Sequence, residues 1–184
     1  LNMKTKVLSV NAINKIELCE TEIPDPSPDE LIMKTVYSAI SPGTELRCMS
    51  GKGESGGFPY VPGYAMSGIV IKCGSLVKLQ EGTKVFAGGT EKCGIRTQWG
   101  GHIQYALKKE KNVIELPEKF DLLDATIARL ASISYHGVRF SQPRSGVKVV
   151  VAGLGPIGQL SARIHHALGA EVVGGDISEN RIEL

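Results

Sequence analysis

The segment that most constrains this chain lies in its last quarter, where Val147-Lys148-Val149-Val150-Val151-Ala152 runs straight into Gly153-Leu154-Gly155-Pro156-Ile157-Gly158. A β-branched run without alternation suits a parallel strand covered on both faces. The glycines then follow G-x-G-x-x-G spacing, and residues 159–168 have helix-forming composition closed by Gly169. In such a loop the first glycine permits a sharp turn and the second lets the backbone approach an anionic ligand. The third lets the helix pack closely on the strand. Free N–H groups and the positive end of the helix dipole then face that ligand without help from a lysine.

In a chain with 22 glycines the spacing alone would say little, but here it stands between a strand, a helix and a second strand, Glu171-Val172-Val173-Gly174-Gly175. Asp176 follows, 18 residues after Gly158. That is close to the ~20-residue spacing at which a carboxylate meets the adenosine ribose of a dinucleotide. The order predicts the first part of a Rossmann domain, a doubly wound parallel sheet. Gly153, Leu154, Gly155, Pro156, Ile157, Gly158 and Asp176 are the expected cofactor contacts. A carboxylate at that position accepts from a ribose 2′-OH and repels a 2′-phosphate, so NAD is expected over NADP. Only one strand-helix-strand unit precedes Leu184. The expectation is a C-terminally truncated domain, either a fragment of a longer protein or a chain completed by a partner.

Upstream the texture is different. Short β-branched or alternating segments at 5–10, 15–19, 30–40, 66–72, 83–87 and 102–107 are separated by Gly, Pro and Asp clusters, and helix signals are scarce. Pro24-Asp25-Pro26-Ser27-Pro28 reads as a rigid surface connector. From Asp121 to Phe140 apolar residues recur at helical spacing, which predicts one buried helix. The expected domains are therefore 1–120, β-rich, and 121–184, a linking helix with the first βαβ of the dinucleotide-binding unit.

Composition excludes more than it assigns. A net charge of +2 gives no basic footprint for nucleic acid or anionic lipid. No apolar run approaches the ~20 residues of a membrane helix, and no leader pattern opens the sequence, so a cytoplasmic protein with a small-molecule substrate is expected. Cys19, Cys48, Cys73 and Cys93 match no ligand-pair or redox spacing and read as reduced thiols.

Several stretches then resemble the medium-chain dehydrogenase/reductase superfamily, that of alcohol dehydrogenase. They are Ser41-Pro42-Gly43-Thr44-Glu45, Val61-Pro62-Gly63-Tyr64, Gly82-Thr83-Lys84-Val85-Phe86, Gly100-Gly101-His102-Ile103-Gln104-Tyr105 and the glycine loop. The resemblance covers essentially the whole chain. It implies a β-rich GroES-like catalytic domain followed by a Rossmann domain, and a homo-oligomer, dimer or tetramer, in the intact protein.

Departures from the family pattern matter as much. Where zinc-dependent members place a cysteine and a His-Glu pair, this chain has Ser41-Pro42 and Tyr64-Ala65, and residues 125–140 contain no cysteine. Catalytic zinc needs three protein ligands and structural zinc four, so no zinc is expected. Hydride transfer without a metal needs another proton donor or electrophile. By resemblance Thr44 falls where the family keeps a proton-relaying hydroxyl, Tyr64 replaces a histidine ligand, and His136 lies at the linker near the cofactor. These three are the catalytic candidates. Against those roles, Tyr64 could simply fill the vacated cavity and His136 could be a satisfied helix histidine. Glu45 reads as a structural carboxylate bonded to its own loop. Trp99 either walls the substrate cleft or plugs the barrel. His165 and His166 point about 100° apart on their helix and read as a solvated face. The expected function is a zinc-independent, NAD(H)-linked oxidoreductase acting on an alcohol/ketone pair or an activated double bond. The alternatives are an NADPH-dependent enoyl or quinone reductase and a non-catalytic NAD-binding homologue.

Overall fold

The computed structural model describes residues 2–53 and 56–183. Contacts divide the chain into two compact units, Leu1–Ile127 and Ala128–Leu184.

In the first unit β1 (Met3–Ala12) and β2 (Lys15–Ile23) form an antiparallel hairpin. Asn14, in the left-handed region at φ 54°, makes its tight turn. A second antiparallel sheet is built from β3 (Glu30–Ser38), β4 (Met66–Cys73), β5 (Lys84–Ala87), β6 (Tyr105–Lys109) and β7 (Val113–Glu115), in the order β6-β3-β4-β5-β7. β1 also bonds to the segment leading into β6, through Leu8 N to His102 O at 3.0 Å and Gln104 N to Lys6 O at 2.8 Å. The fully buried Val7, Ile23, Leu31, Met33, Met66, Val70 and Val85 fill the space between the two sheets. Each such side chain contributes on the order of 1.5–3 kcal/mol by leaving water.

Two helical features depart from expectation. α1 (Pro42–Met49) occupies a stretch read as loop. Pro42 supplies a preset φ at the first helical position, and Glu45 Oε1 accepts from the N–H of Ser41 at 2.8 Å, which satisfies the backbone at the helix start. The single helix expected over 121–140 is two helices, α2 (Leu122–Ala125) and α3 (Ala128–Phe140). Asp121 caps α2 by accepting from Leu123 N at 2.6 Å, and the Thr126 hydroxyl closes it by donating to Leu123 O at 2.7 Å. The hydrogen bonds tighten to i→i+3 at Thr126 and Ile127, where two β-branched residues end the turn. Strand ends also move: β3 stops at Ser38, β6 begins three residues later than expected, and β7 had no counterpart in the sequence reading.

The second unit pairs β8 (Lys148–Ala152) with β9 (Glu171–Gly175) in parallel, joined by α4 (Pro156–Ala167) and followed by α5 (Glu179–Ile182). α3 and α4 pack together, with Ser134 Oγ donating to Ile157 O at 3.1 Å. β8 was expected to be covered on both faces, but among the described residues only one is: Val150 is 79% exposed and Val173 65%. Within this unit α4 packs against both strands. No helix among the described residues is long and apolar enough to cross a membrane.

Candidate functional site

The glycine loop sits at the C-terminal ends of β8 and β9, where α4 begins. Gly153 has φ +92°, so the chain turns there through a conformation that side chains disfavour. A Cβ at Gly158 would collide with the Gly153 carbonyl, whereas at Gly155 it would meet nothing within 4 Å. The third glycine is therefore required by the protein itself, and the second leaves open space for a ligand. Gly153 N donates to Gly175 O at 2.7 Å, and Leu154 N donates to Asp176 Oδ2 at 2.6 Å, so Asp176 stands beside the loop. Its other oxygen accepts from Ser178 N at 2.9 Å, and Arg181 Nη1 approaches at 3.5 Å. The Ser178 and Leu154 N–H groups, with Arg181 behind them, hold the Asp176 carboxyl below the usual carboxylate range. Val150, Gly153, Asp176, Ile177 and Arg181 border an open cleft of about 450 Å³ on this side of the sheet.

In the first unit a cleft of about 520 Å³ is bordered by Gly43, Thr44, Arg47, Cys48, Gly53, Gln98 and Trp99. α1 presents Thr44. Trp99 occurs at φ +69°, a strained conformation for a bulky residue, and its ring meets Tyr64 edge-on with centroids 5.4 Å apart. Trp99 is 38% exposed and borders the cleft, so it is a wall rather than a plug. Thr44 and Trp99 thus border one cleft, and Tyr64 is tied to it through the Trp99 ring. His136 belongs to the second unit, exposed on α3, with its ring edge-on to Phe140 at 5.0 Å.

A group missed by the sequence reading lies behind the Thr44 cleft. His102 Nδ1 is 2.8 Å from Ser38 Oγ, and His102 Nε2 is 2.9 Å from Glu45 Oε2. Both His102 and Glu45 are buried, each 6% exposed. The expectation that Glu45 bonds its own loop holds through Ser41, but it describes only one of the two carboxylate oxygens. The reading of His165 and His166 as a solvated pair needs correction: His165 is buried, with Ser141 Oγ 2.9 Å from Nε2 and Ser161 O 2.9 Å from Nδ1. At one residue per 100° the buried stripe between α3 and α4 takes one of the pair and leaves His166 outside.

Among the described residues, no cluster of three or more His, Cys, Asp or Glu side chains is arranged to hold a metal ion. The glycine loop does fit a dinucleotide, with its open second glycine and the first turn of α4 at hand.

Comparison with known proteins follows the same lines. Residues 27–118 match the alcohol dehydrogenase GroES-like domain. A 2-methylene-furan-3-one reductase of Solanum lycopersicum is 32% identical over 169 residues, 88% of this chain and 43% of that protein. CAD from Helicobacter pylori, solved in complex with NADP(H), superposes with a TM-score of 0.86 at 19% identity, covering 100% of this chain and 62% of that one. A short chain alcohol dehydrogenase from E. coli CFT073, solved with NADH, gives a TM-score of 0.83 at 23% identity, covering 98% and 59%. The chain spans about half the length of the curated relatives it matches.

Proposed function

Since the chain belongs to the alcohol dehydrogenase family through its GroES-like domain, we propose that the protein is a nicotinamide-dependent oxidoreductase acting without zinc on an alcohol/ketone pair or an activated double bond. The observation that carries this reading is the glycine loop: Gly158 is tight against Gly153, Gly155 is open, and Asp176 is bonded to the loop. The backbone N–H groups at the start of α4 hold the diphosphate, and Asp176 receives the ribose hydroxyls. When bound, the nicotinamide supplies or accepts the hydride. In the first unit Trp99 and Tyr64 form an aromatic wall that orients an apolar substrate, and Thr44 offers a hydroxyl for its oxygen. His136 is the third candidate proton donor.

NAD is the proposed cofactor because Asp176 repels a 2′-phosphate. Arg181, 3.5 Å from that carboxylate, favours a second reading, in which the cation turns to a 2′-phosphate and the protein is an NADPH-dependent enoyl or quinone reductase. The Solanum relative is a reductase of an unsaturated ketone by name. Oxidation of NADH and of NADPH by the intact protein with aldehydes, ketones and enones decides between the two. Absence of oxidation with every acceptor would overturn both.

A further inference from the structure

The cleft beside Thr44 is bordered by one group that neither hydride transfer nor dinucleotide binding uses, the Arg47 guanidinium. Arg47 lies in the last turn of α1, three residues after Thr44, so the two side chains stand on one face of the helix with Cβ atoms about 5–6 Å apart. The loop after the helix holds the arginine. Its carbonyl accepts from Ser50 Oγ at 3.0 Å and from Lys52 N at 3.1 Å, and its Nε donates to Lys52 O at 3.4 Å. That loop lies close on α1: a Cβ on Gly53 would come within 2.7 Å of Cys48 Sγ and 2.9 Å of Cys48 Cα. With Nε turned to the loop, the two Nη groups keep their donors for another acceptor. Among the described residues no carboxylate pairs with them.

The cleft's other border is Gln98 and Trp99, and their backbone is pinned. Gln98 N donates to Val61 O at 2.8 Å and Gly100 N to the same oxygen at 3.2 Å, while a Cβ on Gly89 would collide with the Trp99 carbonyl. A bulky residue held at φ +69° by its surroundings marks a place where the direction of its ring matters. Among the described residues that border the cleft, Arg47 is the one charged side chain. The nearest carboxylate on α1, Glu45, is buried and already bonded to Ser41 N–H and His102. The cleft therefore offers one cation, one aromatic face and two neutral polar side chains, Thr44 and Gln98. One cation balances one negative charge, and a guanidinium fork matches the two oxygens of a carboxylate. A phosphate dianion would call for a second cation.

We propose that this cleft selects substrates that carry a carboxylate: Arg47 grips the carboxylate, Trp99 covers an apolar or aromatic middle, and Thr44 meets the carbonyl oxygen. This rests on the oxidoreductase reading above and names its substrate class, oxo acids whose two functional groups are joined by an aromatic or unsaturated link. The separation of Thr44 and Arg47 along α1 sets the length of that link. A ring carrying the two groups at opposite positions spans it, and an oxo acid with the groups on adjacent carbons does not. The carboxylate takes no part in the hydride step and stays charged throughout, so Arg47 is a specificity-determining residue.

Trp99 supplies a readout that needs no turnover. The intact protein is titrated without cofactor with benzoate and with benzamide, which have nearly the same shape and differ in charge, and tryptophan fluorescence is followed. Trp99→Phe assigns the signal to the cleft. Benzoate should bind about tenfold more tightly than benzamide at low salt, the lower end for a hydrogen bond to a charged group, and the gap should narrow as sodium chloride is raised. Arg47→Gln should close the gap, and Arg47→Lys should keep part of it. In reduction, the ratio of kcat/KM for 4-carboxybenzaldehyde to that for benzaldehyde should fall about tenfold in Arg47→Gln, chiefly through KM for the aldehyde. Equal affinity of the wild type for benzoate and benzamide overturns the proposal, as does a gap that survives Arg47→Gln; the arginine then only complements the C-terminal end of α1. A raised KM for the dinucleotide with the carboxylate preference intact also overturns it, by assigning Arg47 to the cofactor. Loss of the preference while neutral aldehydes are still reduced sinks the substrate class and leaves the oxidoreductase reading standing. A benzoate preference that depends on Arg47, with no aldehyde or enone reduced by either cofactor, supports the carboxylate site and sinks the oxidoreductase reading instead.

Discussion

Asp176 accepts a hydrogen bond from the backbone N–H of Leu154 at 2.6 Å, which ties the end of β9 to the first turn of the glycine loop. The carboxylate is held below its ordinary value of 3.8, first by Ser178 N–H, then by Leu154 N–H, with Arg181 adding to both. A depressed folded-state value means stability that is present in full above the unfolded value and lost as pH falls through the folded one. Thermal melts of the intact protein should therefore lose part of their stability below about pH 3.8. Asp176→Asn should flatten that acid limb and narrow the preference for NADH over NADPH by about tenfold, through the loss of one charge interaction. An unchanged acid limb in the variant would show that the carboxylate is not held as described.

The two loop glycines separate fold from function. Gly158→Ala sets a methyl against the Gly153 carbonyl and should cost about 1–3 kcal/mol of stability, as overpacking does. Gly155→Ala adds a methyl where nothing lies within 4 Å, at φ −64° which alanine accepts, so the melting temperature should stay within about a degree or two. Dinucleotide affinity should nevertheless drop in Gly155→Ala, because the methyl takes the place of the ligand. Full affinity in that variant would mean the loop does not receive a diphosphate.

Tyr60 is fully buried among Val10, Cys48 and Phe58, and its hydroxyl has no hydrogen-bond partner among the described residues. Burial pushes its phenol up, and the nearby Cys48 and Glu45 act in the same direction. An orphaned buried hydroxyl carries a desolvation penalty, so Tyr60→Phe should be neutral or stabilising by about 1 kcal/mol. The ring under Arg96 is retained in that variant. Denaturant unfolding that shows a loss of more than about 1 kcal/mol would reveal a partner for the hydroxyl.

Trp99 and Thr44 border one cleft and should fail differently. Trp99→Gly relieves a left-handed conformation worth about 1–2 kcal/mol while removing the wall. Its expected signature is a raised KM for aromatic substrates with stability kept or improved. Thr44→Val should lower kcat, with Thr44→Ser close to wild type. Kinetics that leave both parameters unchanged in both variants would move the substrate out of this cleft.

What was legible in the sequence is what local order encodes. The loop from Gly153 to Gly158, its flanking strand and helix, and the parallel partner at 171–175 each carry a signal within a few residues, and the parallel register follows Lys148 opposite Glu171. α1 was missed because Gly43 and Thr44 weaken helix propensity, although Pro42 and Glu45 did announce a start. The helix expected over 121–140 had the right apolar period, yet the Thr126 hydroxyl and its own backbone outweighed it. Least legible was the His102 site, whose members are 64 and 57 residues apart in the chain. Only the antiparallel pairing of β3 with β6 and the packing of α1 bring them together, and no periodicity reports that. His102 sat in a stretch that read as strand, where a histidine had no partner to suggest a role.

The most direct test of the account is calorimetric titration of the intact protein with NADH and with NADPH. Saturable one-site binding of a reduced nicotinamide dinucleotide, tighter for NADH, is the expected result. If neither dinucleotide binds, the loop at Gly153 to Gly158 is a packing turn and the oxidoreductase reading falls.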